Sequence, residues 1–298
     1  MEQIRFDNRV AIITGVGNTQ GLGFAYAKLL GQRGAKIVAT DLRISEDTIG
    51  QLRKMGIEVT AVQCDITKMD EAQKLVDTAV AAYGRVDIVI NNAGACKNVT
   101  LDQESEELFD FILKVNTYGT RNVCRAAVPV MMKQKYGRIV NTTSSAGMYG
   151  LAECLAYSTA KGAVYGMTRS LALWGKEYGI KVNAIAPSAA TAMALSDAGM
   201  DEKVRQTMMR AMSPDAVAPA VAVMAHESCA ITGRVLESAG GGTGEIFVGT
   251  TLGVMKADNS PEFILENWDQ VLDKNKYGIV EDVLAMDSVL RQRLTLKM

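Results

Sequence analysis

The chain has 298 residues, of which 48% are hydrophobic and 22% are charged. This composition is close to the average of globular proteins, so the chain can bury a core, and disorder and fibrous repeats are excluded. The 32 Lys and Arg residues balance 33 Asp and Glu residues, and no basic block is present, so we expect no nucleic-acid partner.

Five cysteines are spread along the chain without a CxxC pair, which fits neither a disulfide framework nor a zinc site. The N-terminus carries no apolar signal region, and no segment reaches the roughly 18 apolar residues of a membrane span. We therefore expect reduced thiols, no metal, no membrane partner and a cytoplasmic location. The single histidine, His226, leaves a Ser/His/Asp triad or a multi-histidine metal site without enough ligands.

Short β-branched segments alternate with longer helical segments up to residue 237. This alternation predicts an α/β fold, a doubly wound, seven-stranded parallel sheet of Rossmann type with helices on both faces. The predicted strands are residues 10–14, 36–40, 58–63, 86–90, 138–143, 181–186 and 234–237. The predicted helices are residues 22–34, 45–55, 68–82, 104–135, 154–178 and 214–225. Helix-ending glycines are expected just before strands, at Gly34, Gly56, Gly84, Gly137 and Gly179.

Two segments stand outside this alternation. Residues 189–212 are rich in methionine and form either a flap over an apolar ligand or a helix packed on the core. The methionines are Met193, Met200, Met208, Met209 and Met212. After a glycine-rich turn at 240–244, residues 243–298 form a C-terminal extension with a helix near 261–272, so we expect the dinucleotide-binding catalytic domain to span 1–242.

A glycine-rich loop directly follows the first predicted strand and leads into a helix. Glycines at this place let the backbone approach a pyrophosphate at a helix N-terminus, where free N–H groups and the helix dipole favour anions. The loop therefore predicts dinucleotide binding by Gly15, Gly17, Asn18, Gly21 and Leu22.

Asp41 comes at the end of the second strand, 18 residues after Gly23. A carboxylate there can accept hydrogen bonds from both hydroxyls of the adenosine ribose and would repel a 2′-phosphate, so we expect NAD (NADH), with NADP as the less favoured alternative. Arg43 could instead neutralise such a phosphate. Asp41 could also be a helix N-cap, although Ser45 already fits that role.

Polar residues also follow the third and fourth strands. Asp65 and Ile66 come after the third, and Asn91, Ala93 and Gly94 come after the fourth. Ligands of open α/β sheets bind at the carboxyl ends of strands, so we include these residues in the predicted cofactor site. For residues 91–94, a simple turn is the alternative.

Four further residues carry reactive or polar side chains that suit a catalytic site. Tyr157 and Lys161 are four residues apart in a predicted helix, so both lie on one helix face. Ser144 follows the fifth strand at the same edge of the sheet. Asn116 lies inside the long fourth helix, where an asparagine is unfavourable unless its side chain has a partner.

These motifs, in this order and spacing over about residues 8–241, resemble those of the short-chain dehydrogenases/reductases. The resemblance implies a catalytic tetrad of Asn116, Ser144, Tyr157 and Lys161, in which Asn116 anchors a water that leads from Lys161 to solvent. It also implies a homotetramer built through the fourth and fifth helices, with a homodimer as the alternative.

The resemblance extends to the residues after the sixth strand. There the family usually has Pro-Gly followed by Thr, whereas this chain has Pro187, then Ser188, with Thr191 at the place where the family's threonine meets the nicotinamide carboxamide. The resemblance thus implies cofactor contacts for these three residues. The glycine loop is two residues longer than the commonest family form, a length also found in enoyl-thioester reductases, which use a different spacing of tyrosine and lysine.

The chemistry of these groups agrees with the implied roles. A nearby ammonium lowers the pKa of a tyrosine from near 10, so Lys161 would favour the phenolate of Tyr157. Lys161 would also hold the nicotinamide ribose, while Tyr157 exchanges a proton with the substrate oxygen. Ser144 would donate a hydrogen bond to the same oxygen.

The C-terminal extension is similar to the one on the (3R)-hydroxyacyl-CoA dehydrogenase unit of peroxisomal multifunctional enzymes. The similarity lies in Thr251-Leu252-Gly253, Pro261 and Asn267-Trp268. The ending Leu296-Lys297-Met298 is not a peroxisomal address.

We therefore expect an NAD(H)-dependent oxidoreductase that interconverts a secondary alcohol and a ketone on a small apolar or acyl substrate. One alternative is a 3-hydroxyacyl thioester dehydrogenase, which in reverse is a 3-ketoacyl reductase. Another is NADP-linked ketoreduction on a carrier protein, for which only Arg43 and Lys97 offer basic groups. A third is an NAD-binding sensor or scaffold without catalysis, against which the tyrosine and lysine pair argues.

Overall fold

The computed structural model describes residues 2–191, 201–286, 289 and 291, without the side chains of Val204, Met208 and Leu284. The chain divides into two compact units, of which one ends at Glu245 and the other begins at Ile246. Among the described residues, no helix is long and apolar enough to cross a membrane.

Within the described ranges the central sheet has eight strands. They are β1 (Val10–Thr14), β2 (Lys36–Asp41), β3 (Val59–Gln63), β4 (Ile88–Asn91), β5 (Gly137–Thr142), β6 (Ile180–Ser188), β7 (Val235–Ala239) and β8 (Gly242–Ile246). The helices between them are α1 (Leu22–Gln32), α2 (Glu46–Lys54), α3 (Met69–Tyr83), α4 (Glu106–Leu113), α5 (Thr120–Gln134), α6 (Ser145–Tyr149), α7 (Leu155–Gly175), α8 (Glu202–Ala211) and α9 (Pro214–Ala225). A π-helical segment, Lys114–Gly119, joins α4 to α5, and a 3₁₀ turn, Lys176–Tyr178, follows α7.

The strand order is β3-β2-β1-β4-β5-β6-β7-β8, and the pairs from β3 to β7 are parallel. The chain winds outward in one direction from β1 to β3 and in the other direction from β4 onward. The switch in direction falls between β1 and β4, which is where open α/β sheets bind ligands. The structure confirms the predicted doubly wound α/β fold.

The predicted count of seven strands is wrong, because β8 continues the sheet beyond β7. Only Gly240 and Gly241 form the turn between them, with φ of +54° and +85°. A connection of two residues allows an antiparallel hairpin but not a parallel crossover. The run of glycines predicted a turn, whereas Gly242 and Gly244 belong to the new strand.

Helices cover both faces of the sheet because side chains alternate between the two faces along each strand. Ile13 and Ile90 pack into a core with residues of α1, α2 and α9. Ile12 and Val89 point the other way, into a core with residues of α3, α5 and α7. All four side chains are fully buried, and burial of each contributes about 1.5–3 kcal/mol to the free energy of unfolding.

Four of the five expected helix-ending glycines adopt a left-handed conformation. Their φ values lie between +69° and +98°, at Gly34, Gly56, Gly84 and Gly179. Gly137 differs because it begins β5, and Lys135 takes the left-handed position with φ +53°. Gly137 is instead needed for packing, since a Cβ there would lie 2.5 Å from the sulfur of Met131.

The methionine-rich segment is described in part. Residues 192–200, with Met193 and Met200, lie outside the described residues, as does the side chain of Met208. Met209, on α8, is exposed, and Met212, which follows that helix, lines the cleft described below. The backbone N–H of Ala190 donates to the carbonyl of Met212 at 2.7 Å, which joins the two ends of the segment.

The unit that begins at Ile246 is small. Two short strands, β9 (Thr250–Thr251) and β10 (Tyr277–Gly278), pair antiparallel. The predicted helix at 261–272 is divided at Asn267 into α10 (Pro261–Glu266) and α11 (Trp268–Val271). Ser260 caps α10 by accepting a hydrogen bond from the N–H of Phe263 at 3.2 Å.

Candidate active site

A cleft of about 1330 Å³ lies at the carboxyl ends of the parallel strands. It is lined by residues that end or follow β1 to β6, and by residues of α1, α7 and the π-helical segment. The volume exceeds the roughly 300–1000 Å³ of common small-ligand pockets, and a dinucleotide with its substrate needs more room than one small ligand.

Close packing shapes the glycine-rich loop between β1 and α1. Gly15 has φ +76°, and its N–H donates to the carbonyl of Thr40 at 2.8 Å. A Cβ on Gly23 would overlap the carbonyl of Gly15. Because α1 starts after Gly21 without a side-chain cap, the N–H groups of its first turn are left for an anionic group. The loop therefore fits a pyrophosphate.

Asp41 lines the cleft at the end of β2. Its carboxylate accepts hydrogen bonds from the N–H groups of Gly17 at 2.8 Å and Arg43 at 3.2 Å. Gly17 holds this carboxylate and is not itself among the residues that line the cleft. Ser45, not Asp41, caps α2 by accepting from the N–H of Thr48 at 3.2 Å.

The structure does not bring Asn91 to the cleft. Its side chain is buried, and its Nδ2 donates to Oδ1 of Asn141 at 2.9 Å and to Sγ of Cys124 at 3.2 Å. Successive side chains of a strand point to opposite faces, so the polar residue that reaches the cleft is the next one, Asn92.

Asn92 and Thr14 also line the cleft, and the sequence prediction missed both. The Nδ2 of Asn92 donates to the carbonyls of Thr14 at 3.0 Å and Gly15 at 3.2 Å. In return, Oγ1 of Thr14 accepts from the N–H groups of Asn92 and Ala93, both at 2.9 Å. These bonds tie the glycine loop to the loop after β4. Thr14 is a polar residue at the end of β1, and this position could have indicated from the sequence that it lines the cleft.

The remaining predicted cofactor residues line the cleft. They are Asn18, Leu22, Asp65, Ile66, Ala93, Gly94, Pro187, Ser188 and Thr191. The carboxylate of Asp65 accepts hydrogen bonds from the N–H of Thr67 at 3.0 Å and from its hydroxyl at 2.7 Å, which holds the side chain in place.

The four predicted catalytic residues all line the cleft. Tyr157 and Lys161 project from adjacent turns of α7, and the Nζ of Lys161 lies 5.5 Å from the centre of the Tyr157 ring. The same Nζ donates to the carbonyl of Thr142 at 2.8 Å. Ser144 lies just after β5, and its hydroxyl accepts from the N–H of Ala146 at 3.2 Å, which caps the short helix α6.

Asn116 lies in the π-helical segment, the kind of irregularity that is frequent at functional sites. Its Nδ2 donates to the carbonyls of Ala95 at 2.8 Å and Ile112 at 2.9 Å, which explains how an asparagine is accommodated inside a helix. Its Oδ1 is buried and has no hydrogen-bond partner. Gly94 lies beside it, and a Cβ there would be 2.6 Å from that oxygen and 3.5 Å from the Nζ of Lys161. A buried acceptor beside a cation marks a place where a donor group fits.

Burial changes the pKa of both groups on α7. It raises the pKa of Tyr157 to about 12, an effect that the hydroxyl of Ser144 partly offsets, and it lowers the pKa of Lys161 to about 8. The expectation that Lys161 lowers the pKa of Tyr157 considered only the neighbouring charge. In the structure, loss of hydration has the larger effect. The site therefore contains a protonated phenol next to a lysine that changes charge near pH 8.

Comparison with known proteins identifies the family. A model described as short chain dehydrogenase matches residues 9–203. The chain belongs to this family of oxidoreductases, which bind nicotinamide cofactors. In the part of the chain that the structure describes, no group of three or more His, Cys, Asp or Glu side chains could hold a metal ion.

Individual relatives resemble the chain over nearly its whole length. It is 35% identical over 287 residues to the peroxisomal hydratase-dehydrogenase-epimerase of Neurospora crassa, covering 91% of this chain and 31% of that protein. It is 33% identical over 311 residues to the peroxisomal multifunctional enzyme type 2 of Mus musculus, covering 96% of this chain and 41% of that protein. The solved structure of full-length peroxisomal multifunctional enzyme type 2 from Drosophila melanogaster aligns with a TM-score of 0.82 and 28% identity, covering 98% of this chain and 51% of that one. The chain thus spans about a third to a half of the length of these proteins.

The relatives overturn the predicted cytoplasmic location. Similar proteins from fungi, a mouse, a fly and a slime mould are peroxisomal enzymes. The prediction was wrong because composition and the lack of apolar segments reflect folding in water, which cytoplasmic and peroxisomal enzymes share.

Proposed function

We propose that the chain is an NAD-dependent dehydrogenase of 3-hydroxyacyl thioesters, which converts the 3-hydroxyl group to a ketone and back. The observation that carries this proposal is the extent of the likeness to the multifunctional enzymes. The match to the mouse protein covers 96% of the chain, so it includes most of the unit that begins at Ile246. The general family model ends at residue 203.

The chemistry in the fungal relative's name supports the substrate class. A hydratase adds water across a carbon–carbon double bond and creates a secondary alcohol, which a dehydrogenase can oxidise to a ketone. The C-terminal extension resembles that of a hydroxyacyl-CoA dehydrogenase unit, and this resemblance favours an acyl thioester as the substrate. Because these relatives are peroxisomal enzymes, we infer a peroxisomal location. Imaging of the tagged full chain in cells tests this location.

The residues of the cleft suit a bound dinucleotide. A bound NAD would supply hydride transfer to and from the substrate carbon. Asp41 would accept hydrogen bonds from the adenosine ribose hydroxyls, and the N–H groups of the first turn of α1 would hold the pyrophosphate. Lys161 would donate to the nicotinamide ribose.

Tyr157 exchanges the proton with the substrate oxygen. Its phenol is protonated at neutral pH, given a pKa of about 12, so it can donate a proton to the ketone oxygen during reduction. During alcohol oxidation the phenol must first lose that proton, which the ammonium of Lys161 favours. Ser144 donates a hydrogen bond to the same substrate oxygen and stabilises the charge that develops there.

A comparison of matched ketones tests the substrate class. NADH consumption is measured with a 3-ketoacyl-CoA and with a free methyl ketone of the same chain length. We expect a much higher kcat/KM for the thioester. Equal values for the two ketones would contradict the thioester proposal and favour a free secondary alcohol as substrate.

The Tyr157→Phe variant tests whether turnover depends on the phenol of Tyr157. Loss of general acid catalysis lowers kcat by about 10²–10⁴, while NADH binding, followed by fluorescence titration, stays close to that of the parent. If the parent protein binds NADH but turns over none of the ketones, it is a sensor or scaffold and not an enzyme of this class.

A further inference from the structure

Two thiols lie next to each other beside the catalytic residues. Cys96 lies in the loop after β4 and lines the cleft, and Cys154 directly precedes α7, which carries Tyr157 and Lys161. Their sulfur atoms are 3.9 Å apart although the residues are 58 positions apart in the chain. The charge of a Cys96 thiolate would act on both Tyr157 and Lys161. The thiol pair is thus part of the surroundings of the catalytic groups.

A backbone bridge near the two cysteines holds their segments next to each other. Val99 pairs with Cys154 in an isolated parallel bridge, and the N–H of Val99 donates to the carbonyl of Glu153 at 2.8 Å. Both thiols point at Oδ1 of Asn98, at 3.0 Å from Cys154 and 3.7 Å from Cys96. The pairing of the thiols is therefore a property of the folded backbone.

The two thiols differ in access. Cys96 is half-buried and faces the cleft, whereas Cys154 is only 1% exposed. Burial raises the pKa of Cys96 to about 12, and it also raises the pKa of Cys154. Since the thiolate is the reactive form, these raised pKa values make both thiols react slowly near neutral pH, so that oxidation needs excess oxidant. A reagent that enters through the cleft reaches Cys96 first.

We propose that Cys96 and Cys154 form a reversible disulfide when a hydroperoxide enters the cleft, and that this disulfide switches the active site off. Cys96 loses its thiol proton, and its sulfur attacks the hydroperoxide, breaks the O–O bond and becomes a sulfenic acid. The departing oxygen takes up a proton and leaves as an alcohol or water. The sulfur of Cys154 then attacks the sulfenic sulfur and releases water. Overall, two thiols lose two electrons and two protons, and the O–O bond takes them up.

Disulfide formation changes the active site in two ways. The sulfurs must move from 3.9 Å apart to about 2.05 Å, which pulls the loop after β4 toward the start of α7. Asn98 also loses the S–H donors that its Oδ1 accepts from, which releases its side chain from the two cysteines. Cys154 is three residues before Tyr157, so the shift reaches the catalytic phenol.

Intact mass measures the disulfide without any substrate. After exposure of the whole protein to excess hydrogen peroxide, we expect a loss of two mass units and a peptide that joins Cys96 to Cys154, both reversed by dithiothreitol. Cys154→Ser keeps a hydroxyl donor for Asn98 and should show no such loss. Cys64→Ala removes another cysteine that lines the cleft and should form the disulfide as the parent does. Gain of oxygen at Cys96 without the link, or a link between other cysteines, would overturn the proposal.

The effect on turnover rests on the proposed function, whereas the disulfide does not. We expect at least a tenfold loss of NADH-dependent ketone reduction in the oxidised protein, restored by dithiothreitol, and no such reversible loss in Cys154→Ser. Oxidised protein that contains the disulfide and keeps its full rate would overturn the switch. If the reduced protein reduces no ketone, NADH affinity of the two forms replaces turnover, and equal affinities would count against the switch.

Discussion

At the residue scale, Asp41 is the side chain from which we propose a preference for NADH. Two backbone N–H groups, from Gly17 and Arg43, hold it at the end of β2, so its negative charge remains at the edge of the cleft. A 2′-phosphate placed beside it would meet that charge. We therefore expect this side chain to favour NADH over NADPH.

Asp41→Asn removes the charge and keeps the shape of the side chain. We expect the ratio of NADPH to NADH affinity to rise about tenfold, which corresponds to about 1.4 kcal/mol. Fluorescence titration with both cofactors measures the ratio. Asp70→Asn removes an exposed carboxylate on α3 and should leave the ratio unchanged. The same ratio in both variants would show that Asp41 does not contact the ribose.

A second prediction concerns Lys161 and the pH dependence of the free energy of unfolding. Burial lowers its pKa from 10.5 to about 8, so between these pH values the unfolded chain binds a proton that the folded chain does not. Stability then rises with pH across this window, because the penalty for burying the ammonium disappears. Below pH 8 the full penalty of about 3 kcal/mol is present.

Lys161→Met removes this titration and also the donor to the carbonyl of Thr142, which costs about 1 kcal/mol. We expect the stability of the variant relative to wild type to fall by about 2 kcal/mol between pH 7 and pH 9.5. Urea unfolding at the two pH values gives the four free energies needed. A difference that stays constant with pH would mean that Lys161 is not a buried ammonium.

At the element scale, α7 positions two of the candidate catalytic groups, and another part of the chain caps it. Cys154, at its N-cap, makes no side-chain capping bond. Glu104 instead reaches across, and its Oε1 accepts from the N–H of Ala156 at 3.1 Å. A carboxylate also interacts favourably with the positive end of the helix dipole.

Glu104→Ala should lower the free energy of unfolding by about 1 kcal/mol, as is usual for loss of a helix cap. It should also lower kcat, because the first turn of α7 carries Tyr157. Glu104→Gln keeps an acceptor oxygen and should recover most of both losses. Thermal unfolding and steady-state kinetics measure the two effects, and equal behaviour of both variants and wild type would contradict the capping role.

Helices and strands differ in how far sequence patterns describe them. The apolar period predicted one helix at 104–135, whereas the chain forms α4, a π-helical segment and α5 there. Within the π-helical segment, Asn116 donates to the carbonyls of Ala95 and Ile112, and the first of these bonds joins a loop 21 residues away in the chain. Periodicity reports which face of a helix is apolar, but it does not report such a contact.

At the scale of the whole molecule, the division at Glu245 suggests that the larger unit is a folding unit of its own. A chain shortened to residues 1–245 should unfold cooperatively and bind NADH with an affinity within about threefold of the full chain, because the described residues that line the cleft lie between Thr14 and Met212. Circular dichroism and NADH titration measure both properties. A shortened chain that fails to fold would show that the two units depend on each other.

The homotetramer implied by the family resemblance stays a prediction. Light scattering coupled to size-exclusion chromatography should give four times the 32.0 kDa chain mass. A value of twice that mass would favour the homodimer, and the chain mass itself would contradict both.

The sequence by itself determined the features that depend on near neighbours along the chain. These are the alternation of strands and helices, the glycine loop before α1, and the placing of Tyr157 and Lys161 on one helix face. Each follows from backbone geometry over a few residues, so a pattern in one segment is enough to predict it.

Tertiary structure alone decided the features that depend on contacts between distant segments. The added strand β8, the burial of Asn91, the raised pKa of Tyr157 and the meeting of Cys96 with Cys154 all belong to this group. The physical reason is that hydration, packing and hydrogen-bond partners are set by which segments come together in space, and local sequence patterns do not contain that information.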